Sequence, residues 1–162
     1  GACAAGRVCR NADILFINAS GATTGGNTIF KTTGAPAAGA DGSITIAGTF
    51  TVTSGPPAVV GDSLQKMGRT SGWTKGAISA TCVDKFTGTL KGGLQYWILC
   101  NDISSVWSKP GDSGSPMFRP SGPNVQLLGI LWGGPAGNFN ETWHSPCANI
   151  AQDLPFYQAY CS

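Results

Sequence analysis

Short segments in which apolar and polar residues alternate run along most of the chain, and turn-forming residues separate them. β-branched and aromatic side chains fill these segments, and 24 of the 162 residues are glycine. A period of two is typical of half-buried strands, whereas helices repeat apolar residues every three or four positions. The pattern predicts strands over residues 13–18, 27–32, 43–53, 63–68, 76–86, 94–101, 115–118 and 125–132.

Breaks in this pattern suggest how the chain is organised. Residues 34–42 predict a loop between strands, and residues 54–58 contain two adjacent prolines that cannot donate hydrogen bonds to a β-ladder. We therefore expect a boundary at residues 54–58. Near the end, Ile150, Ala151 and Leu154 fall at helical spacing and predict one short helix over residues 148–157. The chain is therefore predicted to be all-β, a sandwich or barrel, with a terminal helix docked on it.

Composition narrows the possible partners. The apolar fraction of 41% is enough for a buried core, whereas charged residues make up only 11% and the formal net charge is +2. Because no run of Lys or Arg is present, we expect neither nucleic acid nor an anionic membrane as a partner. The longest apolar stretches, such as residues 127–132, are far shorter than the roughly 20 residues that cross a bilayer.

The cysteines predict disulfides and, from them, a compartment. Their number is even and they form three sequence-local pairs, Cys3 with Cys9, Cys82 with Cys100, and Cys147 with Cys161. Six cysteines allow 15 connectivities, so this pairing is a preference for short loops. Without a CxxC spacing, and with a single histidine, a zinc site is the weaker interpretation, and no metal or cofactor is predicted. Disulfides persist in oxidising compartments, so we expect a secreted, extracellular protein.

Ser113 lies in the sequence GDSG, which is a candidate for nucleophilic chemistry. A serine hydroxyl is a poor nucleophile at neutral pH and needs a base, together with hydrogen-bond donors where the carbonyl oxygen gains charge. Gly111 can turn the backbone so that its own amide and that of Ser113 point into one pocket. The alternative is an ordinary loop, because Asp, Ser and Gly are common turn residues.

Longer stretches in a fixed order favour the first interpretation. VGDSLQKMGRTSGWTKGAI precedes GDSGSP, and LGILWGG and HSPCANIAQDL follow it. From about residue 13 to the C-terminus, the chain resembles the chymotrypsin-like serine proteases, especially their extracellular bacterial and fungal members. The resemblance implies a double antiparallel β-barrel with a short C-terminal helix. The N-terminal barrel would be partial, over residues 1–55, and the C-terminal barrel complete, over residues 58–162.

The resemblance also implies roles for individual residues. Ser113 would be the nucleophile, with Gly111 and Ser113 donating the amides of an oxyanion hole. Asp13 precedes an apolar alternating segment, as does the aspartate that orients the histidine in this family. A lone aspartate before a strand is otherwise a cap or turn residue. The implied activity is hydrolysis of peptide bonds in peptides or proteins through an acyl-enzyme, by a serine endopeptidase.

In this family a substrate pocket is lined by residues just before the nucleophile, by the LWGG strand and by the segment near HSP. The candidate substrate-binding residues are therefore Trp107, Leu131, Trp132, Gly133 and His144. Trp107 stands where trypsin-type enzymes carry an acid, so we expect an apolar or shallow pocket rather than one for Arg or Lys. For Trp107 and Trp132 the alternative is core packing.

The expected base is missing from its usual place. The family's catalytic histidine precedes the aspartate, yet none of the twelve residues before Asp13 is a histidine. The single histidine, His144, follows Ser113, and we expect it to line the pocket or to have a structural role. The N-terminal part of the first barrel, with the base, would then be a separate segment.

Three explanations of the missing base remain open. In the first, the chain is the larger piece of a protease that is cut between its histidine and its aspartate, with the smaller piece retained. The small residues at its start suit such a processing site, and this is the favoured explanation. In the others, the chain is a fragment, or a catalytically inactive homologue that binds peptide or protein. The isolated chain should be nearly inactive, because a protease lacking one triad member keeps only about 10³- to 10⁴-fold of rate over water.

Overall fold

The computed structural model describes residues 3–13, 27–54 and 56–154, and these residues are mostly in β-strands. Within them the elements are, in chain order, β1 (Arg7–Arg10), β2 (Thr28–Thr32), β3 (Ala37–Ala38), β4 (Ile46–Thr53), β5 (Ser63–Gly68), β6 (Gly72–Thr89), β7 (Gln95–Ser104), β8 (Pro116–Ser121), β9 (Asn124–Gly133), β10 (Thr142–Pro146) and the helix α1 (Cys147–Asp153). The predicted all-β class with a short C-terminal helix is confirmed. No helix in these ranges is long and apolar enough to cross a membrane.

Six strands of the second half pair antiparallel in a cycle. β5 pairs with β6, β6 with β7, β7 with β10, β10 with β9, β9 with β8, and β8 again with β5. The other four strands attach to this cycle. β1, β3 and β4 pair in parallel with β7, β6 and β9, respectively, and β2 pairs antiparallel with β4. The two halves of the chain are therefore joined by hydrogen-bonded strands.

Most predicted strands are present, and one has the predicted bounds, residues 63–68. The predicted strand at 13–18 lies outside the described residues except for Asp13. Three strands were not predicted, β1, β3 and β10. β1 and β3 are short and pair in parallel with distant segments, and β3 lies inside the predicted loop at 34–42. β10 lies between β7 and β9 and is buried on both faces, so its residues do not alternate.

Two apolar clusters form the core. The first fills the cycle of strands with Leu64, Ile78, Val106, Met117, Leu128 and Leu131. The second joins β2 and β4 to the cycle through Ile29, Val52, Trp73, Phe118 and Val125. Met117 and Phe118 are neighbours on β8, and successive strand residues face opposite sides of a sheet. β8, which directly follows the GDSG loop, is therefore held by both clusters.

Two disulfides lie within the described residues. Cys3 is bonded to Cys9 at the start of β1, and Cys82 to Cys100 between β6 and β7. Both pairings were predicted and are confirmed. The third predicted pair includes Cys161, which lies outside the described residues. Helix α1 ends where the amide of Leu154 donates a 2.8 Å hydrogen bond to the carbonyl of Ile150.

Candidate active site

The loop that contains Ser113 has a backbone that depends on glycine. Gly111 and Gly114 have φ values of 97° and 87°, which residues with a side chain rarely adopt. A Cβ at Gly111 would also lie 2.5 Å from the Thr70 hydroxyl oxygen. Other residues at position 111 would therefore displace the loop that carries the serine.

The amides of this loop fall into two sets. The amides of Asp112 and Ser115 each donate a 3.0 Å hydrogen bond within the loop, and that of Gly114 donates a 2.8 Å bond to β9. The amides of Gly111 and Ser113 donate no hydrogen bond in the described part of the chain, and both residues are exposed. Unpaired backbone amides at the surface are the kind of donor that a developing oxyanion requires.

The Ser113 hydroxyl lies at the surface beside a depression of about 220 Å³. It donates a 3.3 Å hydrogen bond to the carbonyl of Trp132 at the end of β9. The depression is walled by residues just before the serine, by the end of β9 and by the segment leading to β10. Among its lining residues are Ser108, Lys109, Leu131, Gly133, Phe139 and Glu141.

The carboxylate of Asp112, next to the serine in sequence, is buried and accepts five hydrogen bonds. Its Oδ2 accepts from Lys66 Nζ at 3.1 Å, from the Ser71 hydroxyl at 2.5 Å and from the Lys109 amide at 3.0 Å. Its Oδ1 accepts from the amides of Thr70 at 2.8 Å and Ser71 at 3.1 Å. The side chains of Lys66 and Asp112 are both 0% exposed. The loop is thus tied to β5 and to the turn before β6.

The pKa values of Asp112 and Lys66 shift in the directions that burial and their hydrogen bonds require. Burial alone would raise the pKa of Asp112, but the Ser71 hydroxyl, the Lys109 amide and the Lys66 charge together lower it to about 2. Burial lowers the pKa of Lys66, and the charge of Asp112 opposes that effect. Asp112 is therefore ionised throughout the neutral range and keeps its acceptor role.

Sequence reasoning missed Lys66, although β5 carries a sign of it. Alternate residues of this strand, Leu64, Lys66 and Gly68, are buried, so the lysine lies on the inward face. A lysine at an inward position needs a buried partner. Gly68 leaves room for that partner, because a Cβ there would collide with Lys66 Nζ and Asp112 Oδ1.

Asp13 is held against β10, the strand that neighbours β9. The Asp13 amide donates a 3.1 Å hydrogen bond to the hydroxyl of Ser145, whose residue pairs with Ile130 on β9. The Ser113 hydroxyl contacts the carbonyl of Trp132 on β9. Trp132 lies two residues beyond Ile130, so the two residues are about 7 Å apart along the strand. The Asp13 side chain is exposed, and its carboxylate accepts no hydrogen bond from the described residues.

His144 lies in the interior and is not brought to the depression. Its side chain is 0% exposed, and its Nε2 lies 3.7 Å from Asp102 Oδ2. Neither ring nitrogen has a hydrogen-bond partner among the described residues. Burial lowers the pKa of His144 to about 4 and raises the pKa of Asp102 to about 6. His144 is thus a neutral side chain within the sheet, too buried to contact a substrate.

Two of the other candidates line the depression and two do not. Leu131 and Gly133 are part of its wall. Trp132 contributes its carbonyl to Ser113, but its indole donates a 2.8 Å hydrogen bond to Asn101. Trp107 contacts the wall only indirectly, since its ring packs against the lining residue Phe139 at 5.5 Å. Both tryptophans are half-buried, and neither side chain is part of the wall itself.

The fold is that of the chymotrypsin-like serine proteases, and solved structures similar to this chain are bacterial members of that class. One is a serine protease described as glutamic acid specific and as using a histidine triad in substrate binding, with 26% identity, a TM-score of 0.54, and coverage of 76% of this chain and 62% of that one. A chymotrypsin from Cellulomonas bogoriensis has 28% identity, a TM-score of 0.51, and coverage of 67% and 55%. A Nocardiopsis protease has 25% identity, a TM-score of 0.50, and coverage of 67% and 54%.

This chain spans little more than half the length of the proteases that it matches. No family model matches the sequence, and no curated protein matches it. The similarity therefore lies in the three-dimensional arrangement of the chain, with about a quarter of the aligned residues identical.

The Lys66–Asp112 pair generates a stability prediction. Lys66→Met removes the charge that compensates a fully buried carboxylate, so the free energy of unfolding should fall by about 3–5 kcal/mol. Lys75→Met removes an exposed charge from the neighbouring strand and should change the free energy by about 0.5 kcal/mol or less. Urea unfolding of both variants measures the difference. Equal losses would contradict the role assigned to Lys66.

The His144–Asp102 pair generates a pH prediction. Because the folded-state pKa of His144 is about 4, below its usual 6.5, its contribution to stability grows as pH rises from 4 to 6.5. The folded-state pKa of Asp102, about 6, lies above its usual 3.8, so its contribution is lost as pH rises from 3.8 to 6. In the natural sequence, the two contributions therefore change the free energy of unfolding in opposite directions as pH rises.

Single variants should separate the effects of His144 and Asp102 on the pH dependence of the unfolding free energy. In Asp102→Asn only the His144 contribution remains, so the free energy of unfolding should rise between pH 4 and 6.5. In His144→Gln it should fall between pH 3.8 and 6. Urea midpoints across this range test both variants. Curves that stay parallel to that of the natural sequence would show that the pair does not titrate as described.

Proposed function

We propose that this chain carries the nucleophile of a secreted serine endopeptidase that cleaves peptide bonds by acyl transfer. A separate segment bearing a histidine supplies its base. The observation that carries the proposal is the exposed Ser113 hydroxyl, flanked by the unpaired amides of Gly111 and Ser113 at the edge of a depression. The two described disulfides are consistent with an extracellular protein.

Each group has a part in the proposed reaction. Ser113 Oγ attacks the substrate carbonyl carbon while the histidine of the separate segment takes the hydroxyl proton. The carbonyl oxygen becomes an oxyanion that accepts hydrogen bonds from the amides of Gly111 and Ser113. The protonated histidine then gives its proton to the leaving amine, and water hydrolyses the acyl-enzyme by the same route. Asp13 orients the histidine through its carboxylate.

The end of β9 suits the backbone of a bound peptide. Gly133 and Gly134 follow Trp132, and neither glycine has a side chain to keep a peptide strand away. Both glycines line the depression together with Leu131. A peptide laid along this edge by β-strand pairing would place one of its side chains in the depression and its carbonyl near Ser113.

An apolar surface on the first half of the chain favours a separate covering segment. Ile29 and Val52 of the β2–β4 pair face the core, whereas Phe30 is 63% and Ile46 is 60% exposed on the same strands. Ile44, just before β4, is 63% exposed. Exposed apolar clusters mark interaction surfaces, and a segment bound here would complete the partial first barrel. We infer that this segment carries the base.

The histidine triad named for one similar protease is not present in this sequence. That enzyme is described as binding substrate through a histidine triad, and this sequence contains a single histidine. His144 is moreover buried away from the depression.

A second candidate function is peptide or protein binding without catalysis. The burial of the single histidine favours it, since no other imidazole in this sequence could activate Ser113. The depression and the end of β9 would serve a binding protein equally well. The two functions differ in whether Ser113 becomes a nucleophile when the native partner segment is present.

Labelling with a fluorophosphonate tests the proposal. The natural preparation, with any copurifying segment, should be modified at Ser113, and Ser113→Ala should abolish labelling. The chain separated from that segment should react only slightly, because the base is lost. Intact-mass spectrometry before and after separation identifies the modified chain and any histidine-bearing peptide. Absence of labelling in the natural preparation, while a known serine protease reacts, would favour the binding function.

A further inference from the structure

The segment just before β4 reaches from the first half of the chain to Trp107 and Lys109, which precede the serine. Its strand β3 pairs in parallel with β6, and the amide of Gly42 donates a 2.9 Å hydrogen bond to the Ser71 carbonyl. A Cβ at Gly42 would overlap the carbonyl of Trp73, so the segment lies directly against β6. This contact fixes Asp41 beside the residues that precede the serine.

Asp41 binds two of those residues at once. Its Oδ2 lies 2.6 Å from Lys109 Nζ, and its Oδ1 accepts a 2.8 Å hydrogen bond from the Trp107 indole. Lys109 lines the depression, and Trp107 supports the lining residue Phe139. The hydrogen bonds from Lys109 and then from Trp107 lower the pKa of Asp41, so it is ionised at neutral pH.

The charges in the wall of the depression are paired separately. Lys109 and Glu141 are the charged residues among those that line it within the described part of the chain. Glu141 accepts a 2.7 Å hydrogen bond from the Trp143 indole and lies 3.9 Å from Lys85 Nζ. Lys109 has Asp41 as its partner. With both charges neutralised by neighbours, the wall presents little net charge to a bound side chain.

We propose that Asp41 determines the specificity of this depression by cancelling the positive charge of Lys109, so that the depression takes uncharged peptide side chains. The inference rests on the proposed binding of peptides at this site. Without the charge of Asp41, the Lys109 ammonium is free to pair with a carboxylate, and the depression then favours an acidic side chain. Asp41 thus lowers the affinity for acidic side chains through its ion pair with Lys109, without contacting the substrate.

The variant Asp41→Asn removes the charge of Asp41 but keeps a side chain of nearly the same shape. The asparagine side chain keeps an oxygen that can accept the Trp107 hydrogen bond, whereas the ion pair with Lys109 is lost. Asp62→Asn is the matched control. It removes the same charge from another partly exposed ion pair, that of Asp62 with Arg119 at 2.7 Å, and neither residue lines the depression.

Calorimetric titration with two acetylated tetrapeptide amides tests the proposal. The peptides differ only in their last side chain, which is Gln in one and Glu in the other. The natural chain and Asp62→Asn should bind the Glu peptide no more tightly than the Gln peptide. Asp41→Asn should bind the Glu peptide about two- to fivefold more tightly, the range of an exposed ion pair. Asp41→Asn/Lys109→Met should lose that preference.

Each remaining outcome counts against at least one of the two proposals. If peptides bind but Asp41→Asn keeps the natural ratio, or weakens both peptides equally, the role of Asp41 is refuted and peptide binding stands. A natural chain that prefers the Glu peptide also refutes it. If no variant binds either peptide, the depression is not a peptide site and both proposals fail there, whereas fluorophosphonate labelling still reports independently on Ser113.

Discussion

The buried ion pair between Lys66 and Asp112 is the contact on which the candidate active site depends. Removing an ion from water costs several kcal/mol, so neither charge could remain in the interior without the other. The Asp112 side chain points inward from the middle of the loop, and its neighbours Gly111 and Ser113 are exposed. An interior anchor therefore holds a loop whose outer amides, those of Gly111 and Ser113, donate no hydrogen bond within the described residues.

Packing and electrostatics hold this loop from two sides. Asp112 is bound by β5 and by the amides of Thr70 and Ser71. Directly after the loop, Met117 and Phe118 each enter a different apolar cluster, so β8 cannot shift without opening one of them. The loop around Ser113 is thus held by contacts within the described residues. In the proposed reaction, a separate segment would add a proton acceptor.

The sequence predicted most where the information is local. Strand β5 was predicted with its observed bounds because its alternation is regular, and the Cys82–Cys100 bond because its loop is short. The GDSG pattern located the serine. Partners distant along the chain were not predictable in this way. Lys66 is 46 residues from Asp112, and Asp41 is 68 residues from Lys109, so only the folded chain brings these charges together. The burial of His144 likewise comes from strands on either side of β10.

Amide hydrogen exchange in the loop tests the central claim most directly, because it reads each donor without requiring a ligand or a base. The account predicts slow exchange for the amides of Asp112, Gly114 and Ser115, which donate hydrogen bonds, and fast exchange for those of Gly111 and Ser113. In Lys66→Met all five should exchange rapidly. Protection of the Gly111 and Ser113 amides, or a loop that keeps its pattern without Lys66, would contradict it.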